Sequence, residues 1–325
     1  MLCIHNKTID PYFNLAAEEY LLKNEEQEYF LLWRNPPSII VGRNQNARAE
    51  INEEYVRDHS IPVVRRLSGG GAVFHDLGNI NFTLISRKQS RTGLDFKHFA
   101  RPVVRALQGM GVPAEFDGRN DLAVAGKKIS GNAQHVWRDS VLHHGTLLFD
   151  SDVKDLTKAL QPDELKFRDK AVKSVRSRVT NIRPYLPKEV TIEGFMQDLL
   201  HTIQTDWEDS CITSFTRTQE KAVYALRDEK YSSWEWNFGT APPYTHSRKK
   251  RTPGGTVELV LNVRKGIIQT ACFYGDFFGQ RDVTELAERL RGVRHDPGAV
   301  AAALKVMPIR EYLWDVSLED ILELV

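Results

Sequence analysis

Two arginines and three glycines stand together in the stretch RRLSGGGAVFHDLGN, residues 65–79. Such loops can bind anions, because glycines bring backbone N–H groups close to a ligand and arginines add charge-assisted hydrogen bonds. No Lys-Ser/Thr pair follows, and the spacing of Gly69, Gly70 and Gly71 differs from a dinucleotide-binding fingerprint. The residues after the glycines are β-branched and aromatic, so we predict a strand–loop–strand anion site. The alternative is a tight bulged hairpin with solvated arginines.

A lysine pair follows in GRNDLAVAGKKISGNAQ, which places Asp121, Lys127 and Lys128 on neighbouring strand-like segments. Successive side chains of a strand point to opposite faces, so one lysine can be solvated while the other faces a site. Lys128 is the better inward candidate, and its charge suits a carboxylate that attacks a phosphate; a surface lysine is the alternative. By the same alternation His143 and His144 do not easily share one site, and the absence of a Cys/His cluster argues against zinc.

The composition narrows the class of protein. The 325 residues suffice for two domains, and a formal net charge of +1 argues against general nucleic-acid binding. Cys3, Cys211 and Cys272 lie far apart without metal-ligand spacing, which fits a reducing compartment. The sequence shows no signal-peptide pattern and no apolar run long enough to span a membrane. We therefore predict a cytoplasmic protein that binds neither nucleic acid nor membrane.

The predicted elements place these motifs on a first domain of residues 1–242. Helical spacing in FNLAAEEYLLKN and short apolar runs such as EYFLLWR and SIIVGRN indicate a helix followed by buried strands. The stretch APPYTHSRKKRTPGG is rich in proline, glycine and charge, so we predict a linker over 243–254. Its basic cluster, residues 248–251, has two interpretations: a solvated flexible loop or a docking patch for an acidic partner.

Residues 255–325 are predicted to form a small α+β domain. TVELVLNVRKGIIQTACFYGDFF has the pattern of a hairpin that turns near Lys265 and Gly266. The last helix opens with Ser317 and has Asp320 three residues later, which is a capping-box arrangement.

Four motifs in order carry a resemblance to a known family: RRLSGGGAVFHDLGN, GRNDLAVAGKKISGNA, HHGTLLF and KSVRSRVTN. Together they strongly resemble lipoate–protein ligase A, and the similarity covers nearly the whole chain. The resemblance implies an α+β, biotin-ligase-like catalytic domain with a mixed, largely antiparallel sheet. It makes residues 1–242 the lipoate- and ATP-binding domain and residues 255–325 an accessory domain, which we predict swings after adenylation.

The reaction that this resemblance implies has two steps and uses ATP and Mg²⁺. Lipoate attacks the α-phosphate of ATP, which gives lipoyl-AMP and pyrophosphate. A lysine amine of an apo lipoyl domain then attacks the activated carbonyl, so that an amide forms and AMP leaves. The expected acceptors are lipoyl domains of 2-oxoacid dehydrogenase complexes and the glycine-cleavage H protein.

The resemblance also assigns roles to single residues. Lys128 contacts both the lipoyl carboxyl end and the α-phosphate and is the expected catalytic residue. ATP or lipoyl-AMP binding falls to Arg66, Gly71, Ala72, Val73, Phe74, Lys128, Asp121 and Arg178. The lipoyl group is framed by Lys128, Ser68 and Trp33, and Asp121 is the candidate Mg²⁺ ligand. His75 and Asn79 are expected to orient the glycine loop.

Four alternatives stay open at this point. A lipoyltransferase that uses preformed lipoyl-AMP would carry nearly the same motifs. An octanoyltransferase of the same fold can use a cysteine nucleophile, but this chain has no cysteine between Cys3 and Cys211. A biotin ligase would need an arginine-rich Gly-Arg-Gly-Arg loop, which is absent. A non-catalytic nucleotide-binding module is disfavoured by the presence of both Lys128 and the Arg66 loop.

Overall fold

A large mixed sheet carries the motifs that are predicted to do chemistry. The structure is a computed structural model that describes residues 1–87, 94–152, 160, 179–207, 209–239 and 246–325. The strands before residue 214 are β1 (Leu2–His5), β2 (Tyr29–Trp33), β3 (Ser38–Val41), β4 (Val63–Arg65), β5 (Val73–His75), β6 (Asn79–Ser86), β7 (Glu115–Asp117), β8 (Asp121–Val124), β9 (Lys127–Trp137), β10 (Ser140–Leu148) and β11 (Cys211–Thr213).

Eight of these strands form one sheet in the order β11-β1-β2-β6-β10-β9-β8-β7. Strand β1 runs parallel to β11 and β2, and the other neighbours pair antiparallel. A second sheet of order β4-β3-β5 presents the ends of the glycine loop, because β4 ends at Arg65 and β5 begins at Val73. The predicted α+β class with a mixed, largely antiparallel sheet is confirmed.

Helices cover both faces of the large sheet. Among the described residues before 240, the α-helices are α1 (Pro11–Asn24), α2 (Ala47–Glu50), α3 (Glu53–Asp58), α4 (Phe96–Gly109), α5 (Ile192–Thr205), α6 (Arg217–Leu226) and α7 (Trp234–Phe238), with a 3-10 turn at Arg183–Tyr185 and a π-helical turn at Arg227–Tyr231. Helix α1 packs its apolar side on one face, and α4 and α5 pack on the other. Within the described ranges, no helix has the length and apolar character needed to cross a membrane.

The start of α1 follows from its local sequence. The Asp10 carboxylate accepts hydrogen bonds from the backbone N–H groups of Tyr12 and Phe13, and Pro11 occupies the first helical turn, where its missing N–H costs nothing. This fixed start sets which side chains of α1 reach the sheet. Both Leu15 and Glu18 are buried there.

The C-terminal unit has its own sheet and core. Its elements are β12 (His246–Thr252), β13 (Gly255–Arg264), β14 (Ile267–Gly275), α8 (Thr284–Leu290), α9 (Pro297–Leu304), α10 (Ile309–Tyr312) and α11 (Leu318–Leu322). The three strands pair antiparallel in chain order. The predicted hairpin turn is confirmed, with Lys265 and Gly266 both at positive φ, and so is the capping box of Ser317 and Asp320.

The linker predicted over 243–254 is wrong in its described part. Residues 246–252 form strand β12, which pairs along its whole length with β13. The basic cluster of residues 248–251 is therefore part of a sheet, not of a flexible loop. Lys250 contacts Asp320 at 2.8 Å, and Arg251 contacts Asp276 at 3.3 Å. Charge runs resemble linkers in composition, but here ion pairs to the C-terminal unit hold the segment in an edge strand.

Candidate active site

A cavity of about 270 Å³ lies between one face of the large sheet, the glycine loop and the C-terminal unit. The floor of the cavity is a row of residues that are neighbours on adjacent strands. Trp33 lies opposite Asn81, and Asn81 lies opposite Thr146. The Gly131 N–H donates to Thr146 Oγ1 at 3.2 Å, and Gly131 lies opposite Asp121. The floor therefore crosses five strands, from β2 to β8.

Charged side chains gather at the β8–β9 end of this row, called here the charged end. Lys128 Nζ and Asp121 Oδ1 form an ion pair at 2.8 Å, with side chains 40% and 34% exposed. Lys128 lines the cavity, and its Nζ lies 2.9 Å from where a Cβ on Gly131 would stand. Lys127 is exposed and does not line the cavity. The alternation predicted for the lysine pair therefore holds.

Arg119 and Asp276 complete the charged end. Arg119 lies with its guanidinium carbon 4.9 Å from the ring centre of Phe278 and donates to the Gly254 carbonyl. Burial lowers the pKa of Arg119, and the charge of Asp276 acts in the opposite direction. Asp276 and Phe278 belong to the C-terminal unit, so both units contribute walls to one cavity.

Arg65 and Arg66 are buried and hold the loops around the cavity. Arg65 donates to the carbonyls of Gly42, Arg43 and Gln45 on one side of β4. Arg66 points to the other side and donates to the carbonyls of Ile40, Gly69 and Gly71. Burial lowers the pKa of Arg66 to about 10, which leaves it cationic at neutral pH. Arg66 lines the cavity, but four of its five N–H donors already serve the protein.

The glycine loop is glycine-rich because the C-terminal unit rests on it. A Cβ on Gly69 would stand 2.3 Å from the carbonyl oxygen of Phe277. Gly70 has a φ of +90°, and its N–H donates to the same carbonyl at 3.2 Å. A Cβ on Gly70 would also meet the Phe278 ring at 3.0 Å. Two of the three glycines thus permit the close approach of a second unit.

The opposite end of the cavity, called here the buried end, contains a chain of hydrogen bonds. Glu18 accepts from His144 Nδ1 at 2.9 Å, and His144 Nε2 lies 2.6 Å from Ser68 Oγ. Since a carboxylate only accepts, the Nδ1–H tautomer follows, and Ser68 donates to Nε2. Glu18 also accepts from Thr83 Oγ1 at 2.6 Å, and Thr83 accepts from Trp33 Nε1 at 2.9 Å.

His75 and His143 are neutral imidazoles of two different regions. His75 lines the cavity and accepts from the Asn35 amide at 3.1 Å, whereas His143 lies in the core with Gln134 and Asn132. Burial lowers the pKa of each to about 3, and the charge of Arg66 acts in the same direction on His75. The prediction that His143 and His144 face opposite sides is met, because His144 lines the cavity.

The structure brings most of the predicted site residues to one place. The cavity is lined by Trp33, Arg66, Gly71, Ala72, Val73, Asp121 and Lys128. Ser68 lies behind His144 and is 1% exposed. The side chain of Phe74 packs in a separate apolar cluster with Ile39 and Val63. Arg178 lies outside the described residues, as does most of KSVRSRVTN.

The site residues predicted from sequence do not include four that line the cavity, Asn81, Arg119, Asp276 and Phe278, nor Glu18, which holds His144 from behind. A signal for Glu18 was present, because it falls within the apolar stripe of α1, where an acid needs a partner. Asn81 interrupts the apolar run INFTLIS and carries a similar signal. No local pattern marks Asp276 and Phe278, since only the packing of the C-terminal unit brings them to the cavity.

Comparisons with known proteins agree with this geometry. Residues 10–204 match the model of the lipoyl protein ligase A/B catalytic domain, and residues 241–325 match the bacterial lipoate protein ligase C-terminus. Lipoate-protein ligase LplJ of Bacillus subtilis is 42% identical over 330 residues, with 100% of both chains covered. Lipoate–protein ligase 1 of Staphylococcus aureus is 41% identical, with 99% of this chain and 98% of that protein covered.

Solved structures extend the comparison to three dimensions. LipL1 of P. falciparum, solved with lipoate, has a TM-score of 0.80 at 23% identity and covers 99% of this chain and 97% of its own. A lipoate-protein ligase A bound with ATP has a TM-score of 0.63 at 26% identity over 74% of this chain and 98% of its own. A bipartite lipoate protein ligase from Thermoplasma acidophilum, studied with its E2 lipoyl domain, has a TM-score of 0.66 at 29% identity over 74% and 97%.

The matched domains cover more than half of the chain, and the two relatives are similar over nearly its full length. This confirms the family that the four sequence motifs predict. The chain therefore belongs to the lipoyl protein ligase A/B family and is an enzyme of the lipoate–protein ligase type.

Proposed function

We propose that this enzyme forms lipoyl-AMP from lipoate and ATP in the cavity and then transfers the lipoyl group to a lysine of an acceptor lipoyl domain. The observation that carries the proposal is the placement of Lys128 in a cavity with one charged and one buried end. Lipoate has the same polarity, since its carboxylate and its dithiolane ring lie at opposite ends of a short methylene chain. The similarity to a ligase structure bound with ATP supports the nucleotide.

In the first step, a carboxylate oxygen of lipoate attacks the α-phosphorus of ATP, and the bond to the β-phosphate oxygen breaks. Two anions must meet, so a fixed cation between them lowers the barrier. Lys128 is half-exposed and paired with a single carboxylate, so it can leave Asp121 for the α-phosphate at little cost. Arg119 lines the same end and adds a second positive charge.

Arg66 has a different part in this proposal. Three of its hydrogen bonds go to the loop and one to the Ile40 carbonyl, with one N–H left over, so its charge acts on the nucleotide mainly by shaping and polarising the backbone from Gly69 to Gly71. The nucleotide then contacts the backbone of Gly71, Ala72, Val73 and Phe74, while the Phe74 side chain stays in its apolar cluster.

Magnesium fits this site as a partner of the triphosphate. Among the described residues no group of three His, Cys, Asp or Glu side chains could hold a metal by itself. Mg²⁺ is commonly bound by one or two carboxylates plus substrate phosphates. Asp121 would supply a carboxylate once Lys128 has moved to the nucleotide, and ATP would supply the phosphates. The ion would neutralise phosphate charge during the displacement.

In the second step, the neutral amine of the acceptor lysine attacks the lipoyl carbonyl, and AMP leaves as the amide forms. Phe278 and Asp276 cover the cavity, so the acceptor reaches the carbonyl only after the C-terminal unit moves away. Until then the same cover keeps water from the adenylate. We infer that the acceptors are lipoyl domains of 2-oxoacid dehydrogenase complexes and the H protein, and that the reaction takes place in the cytoplasm.

The deciding experiment combines the purified protein with ATP, Mg²⁺, lipoate and an apo lipoyl domain. Mass spectrometry should show the mass increase of one lipoyl group, and pyrophosphate should appear even without acceptor. Lipoylation from added lipoyl-AMP without pyrophosphate release from ATP would identify a lipoyltransferase instead. Acyl transfer from acyl carrier protein without ATP would identify an octanoyltransferase, although none of the three cysteines lines the cavity.

A further inference from the structure

Asn81 is a buried side chain with a hydrogen-bonding atom left over. It is 2% exposed, lines the cavity and accepts from the Asn79 amide at 3.0 Å through Oδ1. Its Nδ2 has no hydrogen-bond partner among the described residues. Turning both amides over would leave Asn81 Oδ1, an acceptor, without a partner, so a free donor toward the cavity belongs to the orientation in which Nδ2 is free. A polar atom left unpaired in a buried site calls for a ligand or a water.

The position of Asn81 follows from the strand pairing. It lies opposite Thr146 on β10, and Thr146 neighbours Gly131 on β9, above which Lys128 Nζ lies. Neighbouring strands are about 4.8 Å apart, so Asn81 lies roughly 10 Å across the sheet from the Lys128 end. On its other side it lies opposite Trp33. An acyl substrate that spans this distance, with its carboxylate at Lys128, would therefore bring its far end to Asn81.

Apart from Asn79 Oδ1, which also lacks a partner among the described residues, the polar side chains near Asn81, those of His144 and Trp33, are engaged with their neighbours. Both ring nitrogens of His144 are bonded, to Glu18 and to Ser68. The Trp33 Nε1–H donates to Thr83. The other walls here include the apolar side chains of Leu15, Ile40 and Ala133. The buried end is thus apolar, with the amide of Asn81 available to a ligand.

We propose that Asn81 is a specificity-determining residue that favours an acyl substrate with sulfur at its far end, such as lipoate, over a plain fatty acid such as octanoate. The inference rests on the proposed function and names the substrate preference of the same cavity. A thioether or dithiolane sulfur is a weak hydrogen-bond acceptor, whereas the terminal methyl of octanoate accepts nothing. Octanoate would displace the water that can serve Asn81 and leave the amide unpaired.

The test compares wild type with Asn81→Leu, which has a similar volume and no hydrogen-bonding atom. We measure kcat/KM for lipoate and for octanoate by pyrophosphate release, and the affinity for each acid by calorimetry without ATP. The ratio of lipoate to octanoate should fall about 3- to 10-fold, mainly because octanoate improves. The Tm of the free variant should fall slightly, since the buried Asn79 amide loses the acceptor that Asn81 Oδ1 provides.

The outcomes separate this inference from the proposed function. An unchanged ratio with active enzyme, or an equal loss for both acids, overturns the role of Asn81. Absence of pyrophosphate release in wild type overturns the proposed function, and the calorimetric ratio then decides on Asn81 alone. The control is Lys127→Ala, on the exposed side of β9, for which both readouts should match wild type.

Discussion

The two ends of the cavity hold their polar groups in opposite ways. At the charged end, Lys128 and Asp121 are half-exposed and joined by a single contact. At the buried end, Glu18 is 2% exposed and is hydrogen-bonded to both His144 and Thr83. An exposed ion pair contributes at most about 1 kcal/mol and exchanges partners easily, whereas a buried acceptor that loses a partner costs about 1–3 kcal/mol.

This contrast separates reaction from recognition. Groups that must rearrange around a triphosphate are held loosely at the charged end, where solvent lowers the cost of changing partners. Groups that must keep a pocket of fixed shape are held by a chain of bonds from Trp33 through Glu18 to Ser68. Substitutions at the charged end should therefore change the rate of the reaction and leave stability intact. Substitutions at the buried end should lower stability and leave kcat nearly unchanged.

The largest effect is expected for Lys128→Ala. Loss of the cation that faces the α-phosphate should lower lipoate-dependent pyrophosphate release about 10²- to 10³-fold, while the free energy of unfolding changes by less than about 1 kcal/mol. A pyrophosphate-release assay measures the rate, and urea unfolding measures the free energy of unfolding. Lys127→Ala is the matched control, because Lys127 is exposed on the same strand. Undiminished lipoylation by Lys128→Ala would remove this residue from the mechanism.

The next effect concerns the glycine loop, which forms the contact with the C-terminal unit above the cavity. Gly69→Ala places a Cβ 2.3 Å from the Phe277 carbonyl oxygen and 3.2 Å from the Phe278 Cα, so the C-terminal unit must shift. We expect a loss of about 1–3 kcal/mol in unfolding free energy, together with slower adenylation. Small-angle scattering of the variant should show a more open molecule.

Gly109→Ala on α4 is the control for this change, since nothing lies within 4 Å of its added Cβ. Ala is the better helix former, so this control should be neutral or slightly stabilising. If Gly69→Ala left stability, scattering and adenylation all unchanged, the glycine loop would not be the support of the C-terminal unit.

A similar loss of stability with a smaller effect on the rate is expected at the buried end for Glu18→Gln. The amide keeps the shape, and its oxygen can still accept from His144 Nδ1 and Thr83 Oγ1, but the second carboxylate oxygen, 3.0 Å from His144 Nδ1, becomes an NH2 donor. Stability should fall by about 1–3 kcal/mol and the KM for lipoate should rise, while kcat stays within about threefold. Glu26→Gln, at an exposed position, controls for loss of charge alone. A fall in kcat with unchanged KM would contradict the division between the two ends.

The charged end could be predicted from sequence much better than the buried end. Strand alternation places Lys127 and Lys128 on opposite faces, because the period of a strand is fixed by its geometry, and the residues around Lys128 favour it as the inward one. The buried end depends on α1, β6, β10 and the glycine loop meeting in space. Glu18 and Asn81 are ordinary polar residues in sequence and acquire their meaning only from partners up to 126 positions away.

The two arginines and the linker illustrate the same limit. Local chemistry suggests phosphate for Arg65 and Arg66, yet their hydrogen-bond partners are mostly backbone carbonyls that the fold brings together. The segment 246–252 has a linker's composition and becomes strand β12 because β13 supplies hydrogen bonds along its whole length. The composition of this segment is compatible with a loop or a strand, and pairing with β13 determines that it forms a strand.

The last effect is a change in the pH dependence of stability, and it tests how strongly the interior excludes a charged histidine. His75 and His143 have a pKa lowered to about 3, against a usual value near 6.5 in the unfolded chain. Between these values the unfolded state binds more protons, so stability is fully present above about pH 6.5 and falls as the pH decreases toward 3. His143→Gln should flatten the dependence of unfolding free energy on pH, between pH 7 and 5, by about one proton relative to wild type. Carboxylates titrate in both proteins and cancel in this difference, so equal slopes in urea unfolding would show that the core takes up charge at His143.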